Sequence, residues 1–544
     1  MPDAVSRHLP KSDVLLLSIV LGTVWCAFYF SPRLLSLLIG PESWFAKAAV
    51  VVFVVCLNFL WMCGIYHCGH IVFSRVWRCR GEYAPLSVPA APASVALLYL
   101  TCNDFNAAAC QSCLRQTYPN YTVFICDDSD DPLMRQHVDR FTAWHPRAQV
   151  IRRAHRRGYK AGNINYALSR IDRRFTHICV NDADTVVPPD FLSKVMRYFS
   201  RSPSIGFVQA LQKSLSNQTG WLGSILKYMV DIHWRYYMPL KNRYGFVMWY
   251  GHGAVLRRDV IDAIGGIPEI ATEDLTFSSE ARRRGYQGIV CEDVYCGEEF
   301  PQTLEKFRKR NRKWVAGTLQ YLLRYYPRLL WSRQVFWLEK ADIFISAAAL
   351  LQAVPFIGLI AATAFIMPFY YARYQMQGPL FLVAPVFYEG PLQAMLKLRY
   401  NVFWMGDFYA VMFITIFLPL LPAAQLLRKD GARLFRYVSA ASFLHLSVML
   451  DSAWEMAAYL HRGTVSFPVT NNARDGESRG RVRGESIAGG VLAAVAVYTG
   501  NLWLIALAVA LLSVPLVLRA NEPPPRVRCL VAAPFLLTCT IMFL

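Results

Sequence analysis

The apolar residues of this chain are gathered into long runs near both ends, and a polar block separates them. Val14 to Phe30 and Phe45 to Ile65 each approach the ~20 residues that cross a bilayer. Further runs follow at Ile343–Tyr370, Val402–Leu421, Leu434–Leu460 and Ile487–Leu518, with an apolar tail from Val527. Between residues 93 and 337 the hydropathy falls, and Asp, Glu, Arg and turn residues appear. A chain divided in this way predicts a water-soluble domain inserted between membrane segments. Its 17% charged residues lie well below the roughly 25% of an average soluble protein. The 55% hydrophobic content excludes a disordered chain, and 14 cysteines in 544 residues are too sparse for a disulfide scaffold.

Charge narrows the partners. The 57 Lys and Arg against 37 Asp and Glu leave a formal net charge of +20, which suits a nucleic-acid binder or the basic inner loops of a membrane protein. The Arg-rich run Arg152 to Arg157 is too short, and too poor in stacking aromatics, for a nucleic-acid face. No nucleic acid is expected. The first two runs read as a hairpin anchor, because no small-x-small cleavage site parts them. The basic cluster Arg75 to Arg80 then places the polar block in the cytoplasm.

The expected organisation is a transmembrane hairpin (1–80), a cytoplasmic domain (81–337), membrane helices with an interface helix (338–460), a loop (461–485) and C-terminal membrane helices (486–544). About six or seven spans of a multi-pass inner-membrane protein follow. Leu434–Leu460 carries Arg436, His445, Asp451 and Glu455 and reads as an amphipathic interface helix. Thr464 to Glu485 reads as a mobile polar loop, and Thr499-Gly-Asn501 as the break of a hairpin.

Within the polar block, apolar strands end in acids. Ser94–Thr101 runs into Cys102-Asn103-Asp104, Tyr121–Cys126 into Asp127-Asp128-Ser129-Asp130, and Thr176–Val180 into Asn181-Asp182-Ala183-Asp184. Open α/β sheets bind ligands at the carboxyl ends of their strands. An Asp-x-Asp there offers two hard oxygen ligands, suited to Mg²⁺ or Mn²⁺ on a diphosphate. Gathered like charges need such a cation. Cys110-Gln-Ser-Cys113 has zinc-like spacing but no second pair, so buried thiols are expected.

These residues carry a resemblance. Thr101-x-Asn103, Asp127-Asp128 and Asp182-x-Asp184, with Lys160-Ala-Gly-Asn163-Ile-Asn165-Tyr-Ala-Leu168 between them, resemble the family-2 glycosyltransferases. Tyr250-Gly-His-Gly-Ala-Val-Leu-Arg257 is similar to the glycine-rich acceptor-side strand of that family. Thr272-Glu273-Asp274 is similar to the catalytic-base motif of its processive membrane branch. Where that branch has Gln-x-x-Arg-Trp, this chain has Arg310-Asn311-Arg312-Lys313-Trp314, which replaces a bidentate clamp by a point charge at Lys313. Phe467-Pro-Val469-Thr470-Asn-Asn472 resembles the Phe-x-Val-Thr-x-Lys gating loop of cellulose-synthase-like enzymes, with Asn472 in place of Lys.

The resemblance implies a GT-A type α/β nucleotide-sugar domain inserted in a helical membrane domain with a channel. It implies a processive inverting β-glycosyltransferase that takes UDP-glucose, builds a β-glucan, and exports it. Chitin- or hyaluronan-like synthesis, or single transfer to a lipid, keeps the same fold. A transporter with a nucleotide-sensing domain is the rival of another class, and it would call for paired repeats with broken helices. By resemblance the donor meets Thr101, Asn103, Asp104, Asp127, Asp128, Lys160, Asp182, Arg310, Arg312 and Lys313. Asp182 and Asp184 hold the metal, and Asp274 is the base. Glu273, Trp314, Gly251 and His252 face the acceptor polysaccharide, and Phe467, Val469 and Thr470 gate the site. Asn401, Trp404, Asp407, Tyr409, Trp454 and Glu455 are the channel candidates.

Overall fold

The computed structural model describes residues 12–35, 44–76, 92–215, 220–362, 410–411, 414–415, 417–465, 475–499 and 502–520. At its centre is a seven-stranded sheet: β1 Val95–Thr101, β2 Tyr121–Asp127, β3 Ala148–Ile151, β4 His177–Asp182, β5 Ile205–Ser214, β6 Ala254–Arg257 and β7 Gln287–Glu298. Their spatial order is β3-β2-β1-β4-β6-β5-β7. The first four lie parallel, β6 runs antiparallel to both β4 and β5, and β5 pairs parallel with β7.

The central strand explains why the sheet is covered on both faces. Every residue of β1 is buried, as expected of a parallel strand sandwiched between helices. Its side chains alternate: Val95, Leu97 and Tyr99 join one core with Cys110, Val138, Phe191 and Val195. Ala96, Leu98 and Leu100 join the other with Ala161, Ile164, Phe277 and Ala281. The acidic ends of β1, β2 and β4 are therefore held in one row by two packed layers.

Close packing also sets helix Tyr159–Arg170. Its N-cap is Gly158 at φ +72°, a left-handed conformation that glycine adopts without strain. A Cβ at Gly162 would fall 1.8 Å from the Arg157 carbonyl oxygen. The Lys-Ala-Gly-Asn segment thus needs its glycine for steric reasons.

Two helices, Val14–Leu35 and Trp44–Val76, contain stretches long and apolar enough to cross a membrane, at Val14–Pro32 and Lys47–Val76. The expected span from Ile343 takes another form. Helix Trp337–Ala348 gives way to a short turn, and the chain bends by 60° into helix Ala353–Ala361. Leu351 at the bend packs against Ala316 and Leu319 of helix Leu304–Arg324, which ties the kink to that helix.

A second correction concerns residues 464–485. The expected loop is helical from Asp475, in helix Asp475–Thr499. Glu485 is buried and accepts a forked pair from Arg308 (Nη1–Oε2 2.8 Å, Nη2–Oε1 2.6 Å). A charge pair this well matched orders a segment whose composition reads as loop. Phe467, Val469, Thr470, Asn401, Trp404, Asp407, Tyr409 and the tail from Val527 lie outside the described residues. Trp454 is exposed on helix Gly431–Arg462, whereas Glu455 is buried, so the two occupy different faces.

Candidate active site

The segment Tyr250–Gly253, just before β6, is held against β4 and β5. Gln209 of β5 accepts from the Tyr250 N–H (2.9 Å) and donates through Nε2 to the His252 and Gly253 carbonyls (3.0 and 3.1 Å). Asn181 of β4 accepts from the Gly253 N–H at 3.2 Å. The loop is pinned from both neighbouring strands. Gly251 and Gly253 have φ +84° and +60°, and this lets the backbone pass close to charged neighbours.

Lys160 joins this loop to the Asp-x-Asp. Its Nζ meets Asp182 Oδ1 at 2.6 Å and donates to the Gly251 carbonyl at 2.8 Å. A Cβ at Gly251 would stand 3.2 Å from Lys160 Nζ and 3.6 Å from Asp274 Oδ2, which shows how near the base candidate lies. Burial works against the Lys160 charge, but Asp182, Glu273 and Asp274 outweigh it and leave its pKa raised. The reciprocal effect holds at Asp182. Burial there is outweighed by Lys160 and His252, and its carboxyl sits below the usual range.

The other two carboxylates behave differently. Burial, together with the Asp182 charge, pushes Asp184 up to about 7. Burial and the Glu273 charge push Asp274 up to about 7, against the lowering effect of the Leu275 N–H, Lys160 and Lys313. Asp274 sits in the first turn of helix Glu273–Arg283, and Thr272 before it donates to the Gly317 carbonyl (3.1 Å). That bond joins the base candidate's turn to helix Leu304–Arg324, which bears Arg310 to Trp314.

The strand-end residues assemble as a second group. Thr101 donates to Asp104 Oδ1 (2.9 Å), and Asn103, at φ +63°, receives the Asp130 and Asp131 N–H groups on its Oδ1 (both 3.0 Å). Asp127 has no side-chain exposure; it accepts from Arg152 Nε (2.7 Å) and the Ser129 N–H (2.9 Å). Asp128 takes a forked pair from Arg153 (2.8 and 2.6 Å). Sequence reasoning misses both arginines as site residues. The signal is the register: β2 and β3 align Cys126 with Ile151, so Arg152 and Arg153 follow beside Asp127 and Asp128. Gln209, Asn181 and Glu298 are further additions, and an isolated amide or carboxylate in a strand gives no sequence signal.

His252 Nδ1 pairs with Thr185 Oγ1 at 3.1 Å, beside the Asp-x-Asp. Trp314 is 40% exposed, and the Arg310 guanidinium covers one face of its ring, 4.6 Å from the centroid. Arg312 turns to Asp451 (3.3 Å) on helix Gly431–Arg462, away from this group. Cys110 and Cys113 are wholly buried in the core, in keeping with a Cys-x-x-Cys that has no second pair.

A divalent cation fits the donors present. Among the described residues no three His, Cys, Asp or Glu side chains gather as a complete cage. A pair of carboxylates is nonetheless what Mg²⁺ or Mn²⁺ uses when a substrate's phosphates complete the shell. Burial first and then the Asp182 charge raise Asp184, so the two carboxylates lie within electrostatic reach of each other.

Comparison with known proteins finds partial likenesses. Residues 177–384 match the pattern of glycosyl transferase family group 2. Over 223 residues, 40% of each chain, the protein is 26% identical to a probable glucomannan 4-beta-mannosyltransferase 3 of Oryza sativa subsp. japonica. Over 231 residues, 41% of this chain and 43% of the relative, it is 26% identical to glucomannan 4-beta-mannosyltransferase 2 of Arabidopsis thaliana. The chain thus spans about two fifths of the length of these curated relatives. A solved mannosyltransferase of Pyrobaculum calidifontis, in complex with GDP-Man and Mn²⁺, aligns with 71% of this chain and all of its own at 18% identity and a TM-score of 0.46. Residues 177–384 thus resemble the family-2 glycosyltransferases, and the chain holds them on a mixed α/β sheet.

Proposed function

We propose that this protein is a membrane-bound, inverting β-hexosyltransferase that moves a sugar from a nucleoside diphosphate to a hydroxyl of a growing polysaccharide. The observation that carries the reading is the convergence of Asp182, Lys160, Gly251 and Asp274 at one cleft. Lys160 joins Asp182 to the Gly251 backbone there, and Asp274, pushed up to about 7 by burial and Glu273, lies beside the same glycine. The favoured donor is GDP-mannose rather than UDP-glucose, since the named relatives are mannosyltransferases. The two apolar helices support a membrane setting.

Each residue then has a task. Thr101, Asn103, Asp104, Asp127 and Asp128 frame the nucleotide, with the two aspartates stiffened by their arginines. Lys160 places positive charge beside the diphosphate, where negative charge grows as the bond breaks. Asp182 and Asp184 would hold Mg²⁺ or Mn²⁺, which supplies charge neutralisation of the leaving diphosphate when bound. Asp274 takes the proton of the attacking hydroxyl, and one displacement on the opposite face inverts the anomeric centre. Glu273, Gly251, His252 and Trp314 line the acceptor side.

Purified protein supplied with radiolabelled GDP-mannose and, separately, UDP-glucose, followed by linkage analysis, tests this. Incorporation from GDP-mannose into a β-linked product is expected. Transfer from UDP-glucose alone would overturn the donor assignment, and transfer from neither would overturn the activity. In the same preparation Asp184→Ala should abolish the enhancement of GDP binding by Mn²⁺, measured calorimetrically. An unchanged Mn²⁺ effect would remove Asp184 from the metal site.

A further inference from the structure

The residue before Gly251 reaches away from Lys160 and Asp182. Tyr250 gives its N–H to Gln209 of β5, and its ring packs on the buried Trp234 with 4.8 Å between centroids. Its hydroxyl pairs with His233 Nε2 at 3.0 Å and donates to Met238 Sδ at 3.2 Å. Burial, Asp274 and Asp342 all raise the Tyr250 pKa, so the hydroxyl stays protonated within electrostatic reach of the base candidate.

His233 opens a turn of uncommon form. Helix Trp221–Ile232 passes through one π-helical turn, His233–Tyr237, before it continues as helix Met238–Tyr244. Single π turns inside α-helices occur frequently at functional sites. This one carries two rings that meet, since His233 stacks on Tyr237 at 5.8 Å and 17°. Tyr237 in turn stacks on His70 (5.3 Å) and pairs through its hydroxyl with His67 Nδ1 (3.1 Å). Both of those histidines belong to the apolar helix Trp44–Val76. His233 is thus braced on that helix through Tyr237 while its Nε2 grips Tyr250. Burial, then Lys241 and His67, bring the His233 pKa down to about 4, so the ring makes this contact uncharged at neutral pH.

Gly251 has no side chain to anchor it, and it holds φ +84°. The direction of its carbonyl is therefore set by what holds its neighbours. That carbonyl accepts from Lys160 Nζ at 2.8 Å, and Lys160 also meets Asp182. A loop free to swing at Tyr250 would give up the first of these contacts.

We propose that His233 is a positioning residue: by holding the Tyr250 hydroxyl it fixes the Gly251 carbonyl against Lys160, and so keeps the Lys160 charge beside Asp182 and Asp274. The inference rests on the reading of these residues as a glycosyl-transfer site. It assigns His233 and Tyr250 one shared task, and it makes the apolar helix Trp44–Val76 a support of the reacting groups.

The test is the rate of transfer from radiolabelled GDP-mannose by the full-length protein in detergent with Mn²⁺ present. His233→Ala and Tyr250→Phe should each lower kcat about tenfold, and the double variant should lose about the same factor, because both remove one contact. His233→Gln should stay within about threefold of wild type, since its amide reaches the position of Nε2 with both a donor and an acceptor. His233→Asn, whose shorter amide reaches only the position of Nδ1, should fall with His233→Ala. If His233→Ala does not fold, Tyr250→Phe, which removes a single oxygen, carries the same expectation beside His233→Gln and His233→Asn. A rate within about twofold of wild type in Tyr250→Phe would overturn the proposal and leave the enzyme reading intact. Losses that multiply to about a hundredfold in the double variant, or equal rates in His233→Gln and His233→Asn, would do so too. Wild-type protein that transfers from neither GDP-mannose nor UDP-glucose would instead overturn the reading of the site, and the proposal with it.

Discussion

Replacing Asp274 by Asn should lower kcat by about 100- to 10,000-fold, the range that general-base catalysis contributes. GDP affinity should stay near the wild-type value, because the carboxylate acts on the acceptor hydroxyl and not on the donor. Amide and carboxylate have the same shape, so the hydrogen bond from the Leu275 N–H to Oδ1 (2.8 Å) survives. The pH profile supplies an independent check. Burial and Glu273 raise Asp274 to about 7, while Lys160 and Lys313 pull it down. A base works only when ionised, so the rate should reach its plateau above about pH 7 and fall about tenfold per unit below it. Neutralising Lys160 should move that limb to higher pH, since a cation that favours the carboxylate is lost. Turnover of Asp274→Asn within a few-fold of wild type would remove the residue from the mechanism. A rate flat from pH 5 to 8 would do the same.

Replacing Asp342 by Ala should destabilise the protein by about 3–5 kcal/mol, the cost of breaking a buried ion pair from one side. Asp342 is 1% exposed and accepts from Lys241 Nζ (2.5 Å), from Tyr66 OH (2.7 Å) and from the Phe246 N–H (2.7 Å). These partners come from different places. Tyr66 belongs to the apolar helix Trp44–Val76, Lys241 to helix Met238–Tyr244, and Phe246 to the segment leading into Tyr250–Gly253. The loss should therefore be felt in the Tyr250–Gly253 loop as well as in stability. The double variant Lys241→Met with Asp342→Leu should regain most of the stability, because no buried charge is then left without its counter-ion. Melting of the detergent-solubilised protein measures both. A shift below about 2 °C for Asp342→Ala, where about 3 kcal/mol should give several degrees, would mean that the triad contributes little.

Much of the candidate site is legible in the linear chain because its chemistry is carried by strand ends. An apolar run of alternating faces followed by Asp-Asp or Asp-x-Asp specifies both a strand and its functional terminus, whatever surrounds it. Asp127, Asp128, Asp182 and Asp184 therefore stand out from their local pattern alone. The glycine at 162 is equally local: only Gly avoids the Arg157 carbonyl. Segments whose state depends on a distant partner are not legible in this way. Residues 475–485 have loop composition, yet they are helical, and Glu485 there is held by Arg308 from another helix. The helix after Ile343 has the length of a span, yet Leu351 packs on Ala316 and Leu319 at a bend.

The basic run from Arg308 to Lys313 shows the division most clearly. Its sequence determined that cations would crowd one helix, because charge and spacing are local properties. It could not determine which cation serves which anion, since Glu298, Asp451 and Glu485 lie outside the run and reach the helix only after folding. Tertiary structure decided that Arg308 and Arg312 brace neighbouring helices while Arg310 lies over Trp314, 3.7 Å from Glu298. The physical reason is that a buried charge takes its meaning from the counter-ions within a few ångströms, and only the packed chain brings those together.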